Sequence, residues 1–330
     1  MKTKKLLVAL ILISLVSMFS LLATGAQETA SPADKYPSKP IQVIIGYGSG
    51  GDADVNGRIF SKHMEKYLGQ TLVVSNVTGA AGSVGARQVL EGRPDGYIAL
   101  FSHWGSLMNT LLGVGDYNLL EDFNIAGICA LDTNTLLVGN EKGRFADFNE
   151  VLAYAKQNPG DVRVGIEVGS VVHLTSSVLQ ASTGVEFHLI DTGNMGNDMA
   201  SLKSNQTDFA IRQFSNVKDF IAAGEFKGFA YLNDKRNEMY PDVPAITEFG
   251  VDGMKAFYSK FFWYGFPKDT PQEIVDKFAA AMKKVSEDPE AKKEFAALGV
   301  DLRFMAGDES KKFITGIKET FEPFMNTLKK

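Results

Sequence analysis

The chain has 330 residues, 34 Lys and Arg against 39 Asp and Glu, a formal net charge of −5 and a single cysteine. That length accommodates two domains with sizeable cores, and one cysteine rules out an internal disulfide. An acidic chain without a Lys/Arg run argues against nucleic acid as a partner, because phosphate neutralisation dominates that kind of affinity.

Lys2, Lys4 and Lys5 precede an uncharged run from Leu6 to Leu22 that ends in the small residues Ala23, Gly25 and Ala26. This is the pattern of a secretory signal cleaved after Ala26. The run approaches the length of a membrane span, so a retained anchor is the alternative, but the polar, Pro-containing stretch from Gln27 to Lys39 favours cleavage. Cleavage removes three lysines and leaves 304 residues with a formal net charge of −8. Cys129 lies within "AGICAL" and not at the cleavage point, so no lipid anchor is expected and the thiol should be a buried apolar group.

After the linker, "IQVIIG" (Ile41 to Gly46) reads as a buried strand and Asp54 to Leu68 as a helix, with Val55, Ile59, Met64 and Leu68 at helical spacing. "TLVVSN" (Thr71 to Asn76) predicts a second strand, "TGAAGSVGA" (Thr78 to Ala86) a loop opening a helix through Leu90, and "YIALFS" (Tyr97 to Ser102) a third strand. Such alternation predicts a parallel sheet with helices on its faces. The pattern restarts with "DVRVGIEVGS" (Asp161 to Ser170), a helix over His173 to Thr183, and strands at "EFHLID" (Glu186 to Asp191) and "DFAIRQF" (Asp208 to Phe214). The last third reads as helices over Pro271 to Glu287, Pro289 to Leu298 and Asp308 to Thr327, with Asp269-Thr270-Pro271 and Asp288-Pro289 as start signals.

The loop "IIGYGSGGDAD" (Ile44 to Asp54) satisfies G-x-G-x-x-G with Gly46, Gly48 and Gly51. A dinucleotide site also needs an acidic residue at the end of the second strand, and that strand ends in Ser75-Asn76. Asp52 and Asp54 would meet a pyrophosphate at the first helical turn, and no Lys or Arg lies between Lys39 and Arg58 to offset them. No Walker sequence occurs. What survives is the physics beneath the motif: glycine loops that open helices present backbone N–H groups and a helix dipole to an anion. Two such loops occur in the first unit and one, Gly165 to His173, in the second; each alone could equally be a plain strand-to-helix connection.

Read together, these loops resemble the solute-binding receptors of the tripartite tricarboxylate transporter family, the Bug receptors. "YPSKPIQVIIGYGSGGDAD" (Tyr36 to Asp54), "NVTGAAGSVGA" (Asn76 to Ala86), "PDGY" (Pro94 to Tyr97), "VGSVVH" (Val168 to His173), "YPDVPAITEFG" (Tyr240 to Gly250) and "WYGFPKDTP" (Trp263 to Pro271) follow in family order. The resemblance implies a two-lobed periplasmic-binding-protein fold of α/β class, Venus-flytrap and type II-like. The first lobe would take residues 36–135 and 256–330 and the second 136–255, after a signal over 1–26 and a linker over 27–35. It also implies a periplasmic monomer that closes on a small carboxylate and passes it to integral membrane permease subunits, with no cofactor.

Carried over position by position, the resemblance places Tyr47, Ser49 and Gly50 in the first binding loop, Ala80, Ala81 and Gly82 in the second, and Ser102 after the third strand. Gly169 and Ser170 would come from the opposite lobe. His173 either touches ligand or pins its turn. Asp52 stands where the family commonly has a small residue, either to receive a cationic or hydroxyl-bearing group or to cap the helix. Asp191 and Thr192 replace the family's Tyr and Lys, removing a positive charge. Arg212 could restore it as a bidentate clamp or sit in an interlobe ion pair. Trp104 and Phe214 either flank an apolar ligand body or pack in the core.

A periplasmic sensor for a signalling partner would use the same fold. Ala81-Gly82-Ser83-Val84-Gly85 resembles a serine nucleophile elbow, but Ser83 follows a long loop where a hydrolase needs a sharp strand-to-helix turn. His63, His103, His173 and His188 show no metal-ligand spacing, so no metal is expected.

Overall fold

The computed structural model describes residues 35–327 except 238–239, 253 and 255–259. The expected signal and most of its linker lie outside the described residues. From Pro37 onward the chain folds as one unit. It opens with β1 (Ile41–Ile45), α1 (Asp52–Leu68), β2 (Leu72–Asn76), α2 (Ser83–Leu90), β3 (Ile98–His103), α3 (Gly105–Leu112), α4 (Leu119–Asp122) and β4 (Phe123–Asp132). A second run follows: β5 (Thr135–Asn140), α5 (Phe148–Gln157), β6 (Arg163–Ile166), α6 (Val171–Thr183), β7 (His188–Asp191), α7 (Met195–Lys203), β8 (Phe209–Gln213), α8 (Phe214–Ala222) and β9 (Phe226–Tyr231). The chain then returns through β10 (Lys260–Pro267), α9 (Gln272–Glu287), α10 (Pro289–Ala297), β11 (Asp301–Ala306) and α11 (Gly307–Phe321).

Two sheets result, ordered β11-β4-β10-β3-β1-β2 and β7-β6-β8-β5-β9, each flanked by helices, which makes a two-lobed α/β fold. The expected parallel pairing holds for β1 with β2 and β3, and for β6 with β7 and β8. Neither sheet is wholly parallel, however. β10 runs antiparallel to β3 and β4, β11 to β4, and β5 to β8 and β9. The reason is connectivity: β4 leads to the second sheet across only Thr133 and Asn134, and β10 brings the chain back beside it, so the two must run in opposite senses. β10 and β11 fall in the third of the chain that periodicity assigns to helices alone. Every residue of β10 is buried, so it carries no polar alternation by which a strand is recognised.

The helices are placed by ordinary rules. α1 turns Phe60 and Met64 inward and ends at Gly69, whose left-handed backbone (φ +69°) lets its N–H return to the Glu65 carbonyl. α10 starts with Pro289 at its first position and Asp288 as N-cap, the carboxylate accepting from the Glu290 N–H at 2.8 Å. Cys129 is buried, as expected.

Close approach of α2 to β1 depends on Gly85. A Cβ there would lie 2.9 Å from the Gly46 Cα and 2.9 Å from the Val77 carbonyl oxygen, both backbone atoms. Gly85→Ala should therefore lower unfolding free energy by about 1–3 kcal/mol, as overpacking does; urea denaturation of wild type and variant measures it.

Candidate functional site

Because β1 pairs in parallel with both β2 and β3, the three loops leaving their carboxyl ends converge at one edge of the sheet. Tyr47 fills the space between them. Its ring stacks on His103 with centroids 4.2 Å apart. A Cβ on Gly82 would approach its Cζ to 2.9 Å, and one on Gly105 its hydroxyl to 2.5 Å. That hydroxyl is enclosed without a hydrogen bond of ordinary geometry and faces Ser102 and Ser106. Burial pushes the phenol well above its usual range, so it stays neutral. Ser102 is itself buried, its hydroxyl 2.6 Å from that of Ser106.

Asn76 ties the first loop to the second strand. Its amide donates to the Tyr47 carbonyl (2.9 Å) and Asp54 (2.8 Å), while its side-chain oxygen accepts from Ser49 (3.1 Å) and Arg58 (2.7 Å). Asp54 also accepts from the Gly50 N–H (2.9 Å) and from Arg58 (2.8 Å). Burial would raise the Asp54 carboxyl, but Gly50, Asn76 and Arg58 outweigh it and hold the group below the usual carboxylate value. Asp52 is neither free nor a cap. The N-cap is Gly51, and Asp52 ion-pairs with the buried Lys260 while its other oxygen accepts from the Ala53 N–H (2.8 Å).

The second loop carries the backbone tension. Ala80 (φ +42°) and Ala81 (φ +53°) are both left-handed, followed by Gly82 at φ +94°. Non-glycine residues pay about 1–3 kcal/mol each to sit there, and such strain collects at functional sites. Within this tight turn the Gly82 N–H donates to the Gly79 carbonyl (2.9 Å) and the Ser83 N–H to the Ala80 carbonyl, which leaves the Ala80 and Ala81 N–H groups for an anion. Asn109 holds the loop by donating to the Ala81 carbonyl at 3.0 Å. Asn76 and Asn109 escaped sequence analysis, although Asn76 opens the "NVTGAAG" stretch.

On the second sheet, the turn after β6 brings Gly169 (φ +76°) and Ser170 to the start of α6. The Gly169 N–H donates to His173 Nδ1 at 3.3 Å and the His173 N–H donates to Ser170 Oγ at 3.3 Å, so His173 pins the turn. Burial lowers its basicity, partly opposed by Asp191. Asp191 accepts from Gly193 (3.0 Å) and Val168 (3.4 Å) N–H groups. Arg212 is 4% exposed and pairs with Glu167 (3.1 Å) and with Asp198. Arg212, open to either a ligand clamp or an interlobe pair, instead sits in an ion triad within the second lobe, on β8, α7 and the loop after β6. Gly165 makes room for it, because a Cβ there would collide with the Asp198 carboxylate.

A Cβ on Gly169 would lie 3.9 Å from the Leu112 side chain at the end of α3, so this turn reaches the first lobe. Among the described residues the exposed large hydrophobics are Val73, Val84, Val168 and Met195. All but Val73 sit on loops at strand carboxyl ends or the helix turns they open, a feature that appears only once those loops are brought together. Trp104 and Phe214 are core residues at 6% and 3% exposure. Ser83 is buried and donates to the Val114 carbonyl at 3.4 Å. Among the described residues no cluster of His, Cys, Asp and Glu could hold a metal ion, and no helix is long and apolar enough to cross a membrane.

His103 sets an acid limit on this site. Its Nδ1 accepts from the Gly105 N–H at 2.9 Å, so protonation there would break the bond, and burial pushes its pKa down to about 4. The unfolded chain binds this proton more readily than the native one. Stability is therefore full above about pH 6.5 and falls by up to about 3 kcal/mol as pH drops towards 4. Chemical denaturation of His103→Asn across that window should show a shallower acid loss than wild type.

The profile of the tripartite tricarboxylate transporter family receptor (TctC) matches residues 57–328. A protein from the ttuE-ttuC' intergenic region of Agrobacterium vitis is 32% identical over 281 residues, covering 84% of this chain and 80% of that one. A Rhodopseudomonas palustris protein solved with adipate superposes with a TM-score of 0.80 at 22% identity, covering 89% of this chain and 98% of that one. Another from that organism, MatC with bound malate, gives 0.77 at 22% identity over 88% of this chain and 100% of that one. Three glycine loops at the strand ends, two mixed sheets joined by crossing strands, and a profile match over most of the chain agree: this protein belongs to the tripartite tricarboxylate transporter receptor family.

Proposed function

We propose that this chain is exported with loss of residues 1–26, captures a small carboxylate in the cleft between its lobes, and delivers it to integral membrane permease subunits in the periplasm. The lobes are taken as residues 36–135 with 256–330, and 136–255. The observation that carries the reading is the left-handed Ala80-Ala81-Gly82 run, whose strain has a use if the Ala80 and Ala81 N–H groups receive an anion, the Gly82 N–H being held by the Gly79 carbonyl. The loops bearing Ser49, Gly50, Gly169 and Ser170 would supply the remaining donors, and Tyr47 and His173 would hold them in place. Three or four charge-assisted bonds at about 1.5–3 kcal/mol each suffice for micromolar binding after ordering costs. The relatives solved with adipate and malate make a carboxylate the natural class. The enclosed Ser83 gives no support to a hydrolase.

The far half of the cleft narrows the class. Glu167 and Asp191 stand at the second lobe's strand ends, and Arg212 is already paired with Glu167 and the enclosed Asp198, so a tricarboxylate would meet like charge. Val84, Val168 and Met195 suit an apolar ligand body. Thermal-shift titration of residues 27–330 should show mono- or dicarboxylates with an apolar middle raising Tm, and citrate doing so weakly; a ligand at 100 times its Kd adds about 2.7 kcal/mol. Gly82→Ala, which drives a Cβ to 2.9 Å from the Tyr47 ring, should weaken binding about tenfold or more. If no carboxylate shifts Tm after the protein has been unfolded and refolded to strip bound ligand, the carboxylate reading fails while family membership stands.

A further inference from the structure

Lys260 opens β10, and because Phe262 lies opposite His103, it sits beyond the carboxyl end of β3, at the same sheet edge as the three loops. It is 4% exposed, its ammonium paired with Asp52 and 5.4 Å from the centroid of the Phe262 ring. Stability does not explain a buried lysine here, since a buried ion pair is commonly matched or bettered by apolar side chains. Asp52 is the first residue of α1, directly after Gly50 and Gly51, and an uncompensated carboxylate there would repel the anion that the loop is proposed to receive. We propose that Lys260 is a positioning residue for carboxylate capture: it neutralises Asp52 beside the first loop and ties the returning strand to that loop. This rests on the carboxylate reading above.

The other charged groups around Lys260 are accounted for. On α1, Asp54 and Arg58 pair with each other. From β4, Asp132 stands opposite in register, accepts from the Asn134 N–H at 3.0 Å, and is pushed up to about 7 by burial. From β3, His103 is held neutral. Burial also pushes the Lys260 ammonium down to about 7. Its charge is therefore present below that pH and lost above it, which leaves Asp52 uncompensated as Asp132 ionises. Both changes act against an anionic ligand at higher pH.

Calorimetric titration with adipate and with malate, on residues 27–330 as wild type, Lys260→Met, Asp52→Asn and the double variant at pH 6 and pH 8.5, tests this. Lys260→Met should weaken binding about tenfold or more, the double variant should return to within about threefold of wild type, and the wild-type loss of affinity at pH 8.5 should shrink in the double variant. Equal binding by wild type and Lys260→Met, or a double variant as weak as Lys260→Met, overturns the role of Lys260 and leaves the carboxylate reading standing. If Lys260→Met does not fold, the Asp52→Asn single variant decides: it should bind at least as tightly as wild type, and a tenfold weaker Asp52→Asn overturns the proposal. A wild type that binds neither these probes nor any member of the carboxylate panel removes the carboxylate reading, and this inference with it.

Discussion

Tyr47 can lie where it does only because positions 82 and 105 carry no Cβ. Three loops from three strands close around one aromatic ring, and the ring in turn sets their spacing: it stacks on His103 and touches the backbone of the second loop at Gly82. Gly46 extends the same constraint, since a Cβ there would come within 2.6 Å of the Gly82 carbonyl oxygen. The loops are thus held by shape, with Asn76 and Asn109 adding hydrogen bonds from the side. A site organised this way is rigid before any ligand arrives, which reduces the ordering cost of binding.

The second lobe is organised by charge instead. Arg212 lies buried between Asp198 and Glu167, and Glu167 leads into the turn that carries Gly169 and Ser170. A buried triad of this kind contributes little to stability but fixes geometry. Between the lobes, the chain crosses at Asp132 to Thr135, where Asn134 accepts from the Phe214 N–H at 2.7 Å and donates to the Gly299 carbonyl. These contacts join both sheets to the segment on which a hinge would act.

How much of this could be read beforehand differs by element. β1, α1, β2 and β3 follow from apolar runs and glycine loops within the one stretch from Ile41 to His103, because their contacts are local and their burial is one-sided or continuous. The same locality exposed the false nucleotide motif: Asp52 and Asp54 in the first turn were legible at once as groups that a pyrophosphate would not tolerate. β10 was not legible as a strand. It pairs with segments 128 or more positions away, counting from Lys260 opposite Asp132, and is buried on every side, so its sequence carries aromatic bulk without period.

The charged side chains divide in the same manner. That Asp52, Asp191 and Thr192 depart from the family's pattern was visible from the sequence alone, since residue type and spacing are all that such a comparison needs. Which charge meets which was not, because Asp52 and Lys260 are 208 positions apart and come together only when β10 returns beside β3. The sequence by itself determined the class of fold, the family and the loops that open the helices, all of which depend on local pattern. Tertiary structure decided that Asp52 is paired with Lys260 and that Arg212 is already held by Glu167 and Asp198, because each pairing joins segments that are distant in sequence.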